Sequence, residues 1–480
     1  MKLSGNYEQD LKIIDNMISG DPTIKIRDFE ARKSGLRCRI YMSDGMVSSQ
    51  LISDGIIEPI ITYEEDVPKN HVLDWLGLMV LELPEVQRVE ETSEMISALC
   101  YGDVLLFAEG QSGCLIVGCK NFAYRSIDEP DGEKVAKGPR EGFVEPLMIN
   151  LSMLKRRLRT NKLKIEMLTI GEKTGTSCCL CYIDGVTDGK LLNEIRQKME
   201  EVKIDGVLST NYVAEMITPT PFEVFKRMGA TARPDVAVAK MLEGRVLIMV
   251  DGSPQALTIP FIFFEYFQSP EDYYVNYHHA TFSRILRMCA FIVTISIVPI
   301  YLAILNFHPG MLPVQLMMSI AATQQVTPFS SLAEALILLV AFDLLREAGL
   351  RAPAGVGQAL SIVGALVLGQ SAVEAKLVSP AMVIIMALTG VTGLIINDLN
   401  SNVIILRLIL IFFSNYAGLW GFVIGTTLIF SRLSVIESFG VDYLSSMPFV
   451  GQGSHEDSLF RMPLKFMKKS GRFIAKDGDK

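Results

Sequence analysis

The sequence contains little that would support catalysis or metal binding. It has five histidines and eight cysteines in 480 residues, and it lacks a P-loop, a GxSxG nucleophile elbow and an HExxH zinc motif. The one cysteine cluster, Cys178, Cys179 and Cys181, has no histidine or second CxxC to complete a metal site. We therefore expect no enzyme activity, no metal and no cofactor, and we interpret the cluster as part of a packed strand.

An excess of basic charge and an apolar N-terminal segment are also missing. The formal net charge is -8, whereas binding to nucleic acid phosphates needs a basic surface that releases counterions. This excludes nucleic acid as the expected partner. The first residues, Met1 to Asn6, are polar and contain no apolar core of a signal peptide. We therefore expect the first half of the chain to stay in the cytosol.

Charged residues are frequent up to about Tyr277 and rare between Phe291 and Ile429. The stretch Ile285 to Leu305 is long enough to cross about 30 Å of hydrocarbon, and Pro299 within it predicts a kink rather than an end. Basic residues in the first half and in the tail place both ends in the cytosol, which makes the number of spans even. We predict a multi-pass protein in contact with membrane lipid, with four spans and six as the alternative.

The first half of the chain repeats itself at a shift of roughly 140 residues. Cys38 to Leu51 matches Cys178 to Leu191, and Gly102 to Val117 matches Gly244 to Ile259. Each copy contains an apolar strand, helices and a hairpin, with an acidic residue and a glycine in the turns. We interpret these dipeptides as turns rather than catalytic carboxylates, because no partner residue recurs at a fixed offset.

These patterns predict the fold class and the domain boundaries. The soluble half is expected to be α/β and made of two related small subdomains, followed by an all-α polytopic transmembrane bundle. The predicted segments are a cytoplasmic α/β subdomain at 1–140, its internal repeat at 141–262, an interfacial aromatic linker or helix at 263–280, the transmembrane helices at 281–432, and a cytoplasmic basic tail at 433–480.

A stripe of small and polar residues marks one helix of the membrane half. Small residues at four-residue steps leave one helix face nearly free of side chains, so that a neighbouring backbone can approach closely. Polar residues within such a helix face protein or water. The stripe is interpreted either as helix packing or as a pore lining, and it consists of Gly357, Gln358, Ser361, Ala365, Gly369, Gln370 and Glu374.

Isolated charges in the same half form a second group of candidate residues, for gating or interface contacts. Ser331 and Glu334 fit a capping box, whereas charges three or four residues apart at the end of that helix can pair. Arg407 needs an acidic partner, for which Glu374 and Asp398 are candidates. The group comprises Glu334, Asp343, Arg346, Glu347, Arg351 and Arg407.

Several longer motifs follow one another along most of the chain. They are Arg125 to Pro130 (RSIDEP), Gly138 to Phe143 (GPREGF) followed by Leu154 to Leu158 (LKRRL), Phe267 to Tyr274 (FQSPEDYY), His308 to Gly310 (HPG), and Arg351 to Gln370. In these motifs the chain resembles the A subunit of the GerA-type spore germinant receptors. Several long matches in the same order are far more specific than one short motif.

The resemblance implies a subunit of a spore germinant receptor in the spore inner membrane. It implies a transporter-like B subunit that senses the nutrient and a lipoprotein C subunit as partners. It also implies homo-oligomers, as a pentameric ring, that form or gate an ion-release channel and so trigger germination. It brings no catalytic residues.

Two alternatives to the receptor subunit remain open at the level of sequence. One is a SpoVAF-type accessory channel, a similar protein that amplifies ion release, although Arg125 to Phe143 favours the receptor subunit. The other is a non-conducting scaffold or carrier component that anchors the soluble half. The spans show no inverted repeat of the kind that many carriers have.

Overall fold

The computed structural model describes residues 3, 6–64, 68, 71–121, 133, 135, 137–218, 220, 223–351, 369–396, 399–445, 457, 458, 460–463 and 465. Within them the chain forms an α/β half with two sheets and then a helical half. This confirms the predicted order of the two kinds of structure.

The two sheets of the α/β half have the same topology. The first contains β1 (Ile24–Glu30), β2 (Arg37–Ser43), β3 (Val86–Val89), β4 (Val104–Ala108) and β5 (Cys114–Val117), in the order β1-β2-β4-β5-β3. The second contains β6 (Leu163–Ile170), β7 (Thr176–Ile183), β8 (Gly229–Thr231), β9 (Val246–Val250) and β10 (Ala256–Ile259), in the order β6-β7-β9-β10-β8. All neighbours are antiparallel. We call the units built on these sheets the first and the second subdomain.

Helices pack on both faces of each sheet. In the first subdomain they are α1 (Tyr7–Ile18), α2 (Ser49–Ile52), α3 (Glu58–Thr62), α4 (Val72–Trp75) and α5 (Thr92–Cys100), with π-helical turns at Ser53–Ile57 and Leu76–Val80. In the second they are α6 (Leu147–Arg157), α7 (Gly189–Glu200), α8 (Thr210–Ile217) and α9 (Pro234–Leu242). Cys178 packs with the α7 side and Cys179 with the α6 side, as alternation along a strand requires. The cysteine cluster is therefore strand packing, as predicted.

The acidic-glycine dipeptides lie in turns, as predicted from the repeat. Gly45, Gly110, Gly185 and Gly252 have φ of 76°, 77°, 77° and 83°, a left-handed conformation that glycine adopts without a steric penalty. The Asp251 side chain also accepts the backbone N–H of Leu147 at 2.8 Å, which holds the start of α6 against the turn.

The aromatic segment after the second sheet is folded into a core. Two short 3₁₀ helices, Phe263–Phe267 and Pro270–Tyr273, form it, and its position at the membrane interface stays a prediction. Phe264 and Phe267 are each 2% exposed, and they pack with Phe291 and Tyr443 in one cluster. These partners come from a later helix and from the end of the chain, so composition alone does not reveal them.

The helical half contains α10 (Tyr277–Phe307), α11 (Val314–Gln324), α12 (Ser331–Arg351), α13 (Pro380–Ile395) and α14 (Asn400–Val435), and residues 369–374 are also helical. Two helices, Tyr277–Phe307 and Asn402–Val435, are long and apolar enough to cross a membrane by length and composition. The helix α10 continues through Pro299, as predicted, and α14 is broken at Gly418, where φ is 59°. The number of spans stays a prediction.

Candidate functional site in the helical half

Glu334 does not form the capping box that its sequence position predicts. It is 1% exposed in α12, and one carboxylate oxygen accepts the backbone N–H and the hydroxyl of Ser379 at 3.2 and 3.0 Å. The N-terminus of α12 is capped instead by Ser330, whose hydroxyl accepts the N–H of Ala333. Glu334 therefore joins α12 to the first turn of α13, because the N-terminal dipole and free N–H groups of a helix attract a carboxylate.

Arg407 pairs with Asp343, not with the predicted Glu374. The Arg407 guanidinium lies 3.5 Å from the Asp343 carboxylate and its side chain is 6% exposed. A small cavity beside this pair is lined by Thr294, Arg346 and Thr389 among others. Asp343 is 64 positions away along the chain, so no local spacing connects the two. The other predicted candidate, Asp398, lies outside the described residues.

The end of α12 contains one of the predicted pairs between neighbouring turns. Arg351 donates to Glu347 at 2.6 Å, and both side chains are exposed. Exposed pairs of this kind contribute little to stability. Asp343 pairs with Arg407 instead of with its neighbours in α12, and Arg346 lines the cavity beside that pair.

The small-residue stripe is described only at its end. Gln370 donates to Glu374 at 2.9 Å, which confirms that the two share a helix face. A methyl group at Gly369 would lie 3.7 Å from Val383 of α13, so this glycine is in ordinary packing contact. Gly357, Gln358, Ser361 and Ala365 lie outside the described residues, and their role as pore lining or packing stays a prediction.

A buried charge cluster at the base of α10 was not found from the sequence. Arg284 is 0% exposed and bonds to Asp272 at 2.9 Å and to Asp457 at 2.8 Å. Arg287 also pairs with Asp272, and Tyr273 donates to Asp457. We call these five residues the junction cluster. It joins the aromatic segment, the first turns of α10 and the C-terminal chain.

The electrostatics of this cluster follow from its pairing. Burial alone would raise the pKa of Asp272, but hydrogen bonds and charge attraction from the arginines outweigh it and lower the pKa below its ordinary value. Burial and the neighbouring Asp457 raise the pKa of Tyr273, which therefore remains a donor at neutral pH. Ser269 and Pro270 begin the second 3₁₀ helix, where Asp272 accepts the Ser269 N–H at 3.1 Å.

The contacts that the structure shows in these sites are charge pairs and hydrogen bonds. Among the described residues, no group of three or more His, Cys, Asp or Glu side chains could hold a metal ion. The buried charges join helices to each other and the helical half to the second subdomain. Such an arrangement can bind an ion or transmit a displacement between the halves.

Comparisons with known proteins identify the family. The model of the "Bacillus/Clostridium GerA spore germination protein" family matches residues 12–473. Spore germination protein KA of Bacillus subtilis is 38% identical over 91% of this chain and 80% of its own length. The uncharacterized membrane protein YfkQ of the same organism is 34% identical over 100% of this chain and 93% of its own length.

A solved structure is also similar to the α/β half. The N-terminal domain of the A subunit of the Bacillus megaterium spore germinant receptor GerK3 is 27% identical, with a TM-score of 0.42 over 55% of this chain and 98% of that domain. The family match covers both halves of the chain, including every charge cluster described above. The chain therefore belongs to the GerA family of spore germination proteins.

Proposed function

We propose that this protein is the non-enzymatic A subunit of a nutrient germinant receptor in the spore inner membrane. Copies of the chain oligomerise into a pentameric ring, with the α/β half and the tail in the cytoplasm. The ring forms or gates an ion-release channel when a transporter-like B subunit senses a germinant, and a lipoprotein C subunit completes the receptor. Family membership and two long apolar helices support this proposal.

The burial of Glu334 and Arg407 between helices carries the ion-release part of the proposal. Both are at most 5% exposed in a half that is otherwise strongly apolar. A buried charge costs several kcal/mol of desolvation, which a helix bundle that only anchors a soluble domain has no need to bear. An ion pathway, in contrast, needs polar groups inside the bundle.

Replacement of a small residue in the stripe tests the pathway in spores. We expect Ser361→Arg to change the release of monovalent cations after addition of nutrient germinants, because a bulky charge would obstruct a face meant for close approach. Ser361→Ala is the matched control, since it keeps the face small. Unchanged cation release in Ser361→Arg spores would contradict a pore at this stripe.

Reconstitution distinguishes a channel from a scaffold. Liposomes that are loaded with K⁺ and contain the purified protein should release the ion faster than K⁺-loaded liposomes without protein. A scaffold or carrier component that depends on the B subunit would conduct nothing alone. The same measurement with the B and C subunits in the liposomes tests gating, because a gated channel should then release K⁺ when germinant is added.

Co-purification from spores tests the partners and the closest alternative. A receptor A subunit should bring one B and one C subunit with it, and its deletion should abolish the response to one class of nutrient. A SpoVAF-type accessory channel would instead slow the response to all nutrients. Crosslinking of the purified complex measures the number of copies in the ring.

A further inference from the structure

One oxygen of the Glu334 carboxylate is buried and has no bonding partner among the described residues. The other oxygen accepts both donors of Ser379. The remaining oxygen, Oε1, is inaccessible to solvent and receives no hydrogen bond within the described part of the chain. An unpartnered carboxylate oxygen in such a place is costly, so its surroundings indicate what it binds.

A second buried oxygen without a partner lies in the same place. The hydroxyl of Tyr301 in α10 forms no hydrogen bond to a described residue, although it is buried. Tyr301 packs on the apolar cluster that contains Ala335 of α12 and Met382 of α13, the neighbours of Glu334 and Ser379. Side-chain oxygens of Tyr301, Glu334 and Ser379 therefore lie beside one cluster of packed apolar side chains.

The charge at this place is negative and only partly compensated. The N-terminus of α13 supplies about half a positive charge. No described Lys, Arg or His side chain bonds to either carboxylate oxygen of Glu334. About half a negative charge therefore remains at an ionised carboxylate. A monovalent cation would leave about half a positive charge at this place and a divalent cation about one and a half, so the charge favours a monovalent ion.

The ligand atoms define the class of cation. A carboxylate, a phenol and an alcohol are hard oxygen ligands, which suit alkali-metal ions and do not suit transition metals that favour nitrogen or sulfur. We propose that Glu334 Oε1, Tyr301 Oη and Ser379 Oγ bind one Na⁺ or K⁺ ion that has shed part of its water. The site rests on the proposed ion pathway for its biological meaning, but its occupancy can be measured without conduction.

Thermal unfolding of the purified full-length protein in detergent tests the site. In NaCl or KCl the unfolding midpoint should lie about 2–4 °C above that in choline chloride of equal ionic strength. Glu334→Gln keeps an acceptor for Ser379 but removes the charge, so its midpoint should be the same in all three salts. Tyr301→Phe should raise the half-saturating cation concentration several-fold.

The control is Glu437→Gln, which neutralises an exposed carboxylate just beyond α14 and should retain the full cation-dependent shift. A wild-type midpoint that is equal in choline and in K⁺ or Na⁺ would overturn the proposal. A midpoint that depends on pH instead of on the metal cation, with this dependence lost in Glu334→Gln, would show that a proton occupies the position and would also overturn it.

The same samples in K⁺-loaded liposomes keep the two proposals separate. A cation-dependent midpoint without ion release supports the site and contradicts the proposed channel. Ion release that is unchanged in Glu334→Gln, together with no cation-dependent midpoint in the wild type, contradicts the site and supports the channel.

Discussion

The two subdomains share one strand order but differ in what holds them in place. The first is joined to the second through Lys155 of α6, which is 2% exposed. Its ammonium group bonds to Asp21 at 2.8 Å, to Ser43 at 3.1 Å and to the Thr23 hydroxyl. A single buried cation thus makes a polar attachment between two sheets of the same design.

The second subdomain is fixed to the helical half by several buried contacts. Arg245 and Lys240 pair with Glu265 at the start of the aromatic segment, and Phe261 donates its N–H to Ser438 beyond the last helix. The junction cluster then joins this segment to α10. The two subdomains therefore share a strand order but differ in their attachments. The second subdomain acts as the base of the helices and the first as a module attached to it.

The largest effect that tests this comparison should come from Arg284→Met. It leaves Asp457 without its arginine in a buried position, and breaking a buried ion pair costs about 3–5 kcal/mol. In thermal unfolding of the full-length protein, the helical half and the second subdomain should unfold at a lower temperature than in the wild type. Arg351→Met removes an arginine whose side chain is 80% exposed, and we expect a loss of at most about 1 kcal/mol.

The fluorescence of Trp75 makes this test specific. The chain has two tryptophans, and in a Trp420→Phe background only Trp75 in the first subdomain remains. Its unfolding transition should change little in Arg284→Met, because the ion pairs of the junction cluster join residues of the aromatic segment, α10 and the C-terminal chain, among the described residues. If Arg284→Met lowers the midpoint of the Trp75 transition as much as that of the whole protein, the first subdomain is not a separately attached module.

The next effect should come from Lys155→Met, which acts on the first subdomain. It leaves the carboxylate of Asp21 largely buried and without its cation. We expect a loss of about 3 kcal/mol in the free energy of unfolding, the lower end for a broken buried ion pair, because 10% of the Asp21 side chain is exposed. Hydrogen exchange should rise in β1 and β2 and stay unchanged in β9. Lys164→Met is the control, since Lys164 also reaches the first subdomain, at Ser19, but from an exposed position. Equal exchange in both variants would contradict the attachment.

The sequence predicts features that local pattern determines. The repeat placed Cys38 to Leu51 and Cys178 to Leu191 in equivalent strands and turns, because alternation and glycine turns are properties of a few consecutive residues. The four-residue spacing of Gln370 and Glu374 likewise predicted a contact that the structure contains. Elements and their order therefore follow from the sequence.

Partners across long separations do not follow from it. The partner of Arg284, Asp457, lies 173 positions later, and the donors to Glu334 lie 45 positions later in Ser379. A capping box was a reasonable prediction for Glu334, but buried donors on another helix compete better for a carboxylate than solvent-exposed N–H groups of its own helix. The sequence therefore identifies Glu334 and Arg407 as candidate residues, but not the contacts that they make.

Acidification should act in opposite directions through two buried carboxyl groups, Glu265 beside the second subdomain and Asp103 in the first, with a smaller effect than either substitution at moderately low pH. Burial would raise the pKa of Glu265, but Arg245 and Lys240 outweigh it and lower the pKa below the ordinary 4.5. Its stabilisation is therefore present above about pH 4.5 and is lost as the pH falls through the folded value. In the first subdomain burial raises the pKa of Asp103, although the attraction of Lys120 opposes this. Protonation of Asp103 therefore removes the desolvation cost of its charge and stabilises the folded state.

Hydrogen exchange between pH 6 and pH 3, corrected for the intrinsic rates, measures this difference. Amides of β9 should lose protection at a higher pH than amides of β4. Asp103→Asn removes this buried titrating group, and the acid response of β4 should then become steeper. Loss of protection in β4 before β9 in the wild type would contradict the assignment.

The smallest expected effect is a difference between two matched glycines. Gly45 and Gly185 occupy the same turn in the two subdomains, with φ of 76° and 77°, so alanine at either should cost about 1 kcal/mol of backbone strain. A methyl group at Gly185 meets nothing within 4 Å, whereas at Gly45 it would lie 3.2 Å from the Met148 carbonyl of the second subdomain. Gly45→Ala should therefore lose about 1 kcal/mol more than Gly185→Ala in thermal unfolding, the lower range for a steric overlap in a packed position. If the two variants lose the same stability, the turn of the first subdomain does not rest on α6, and Lys155 supplies the buried part of the attachment without it.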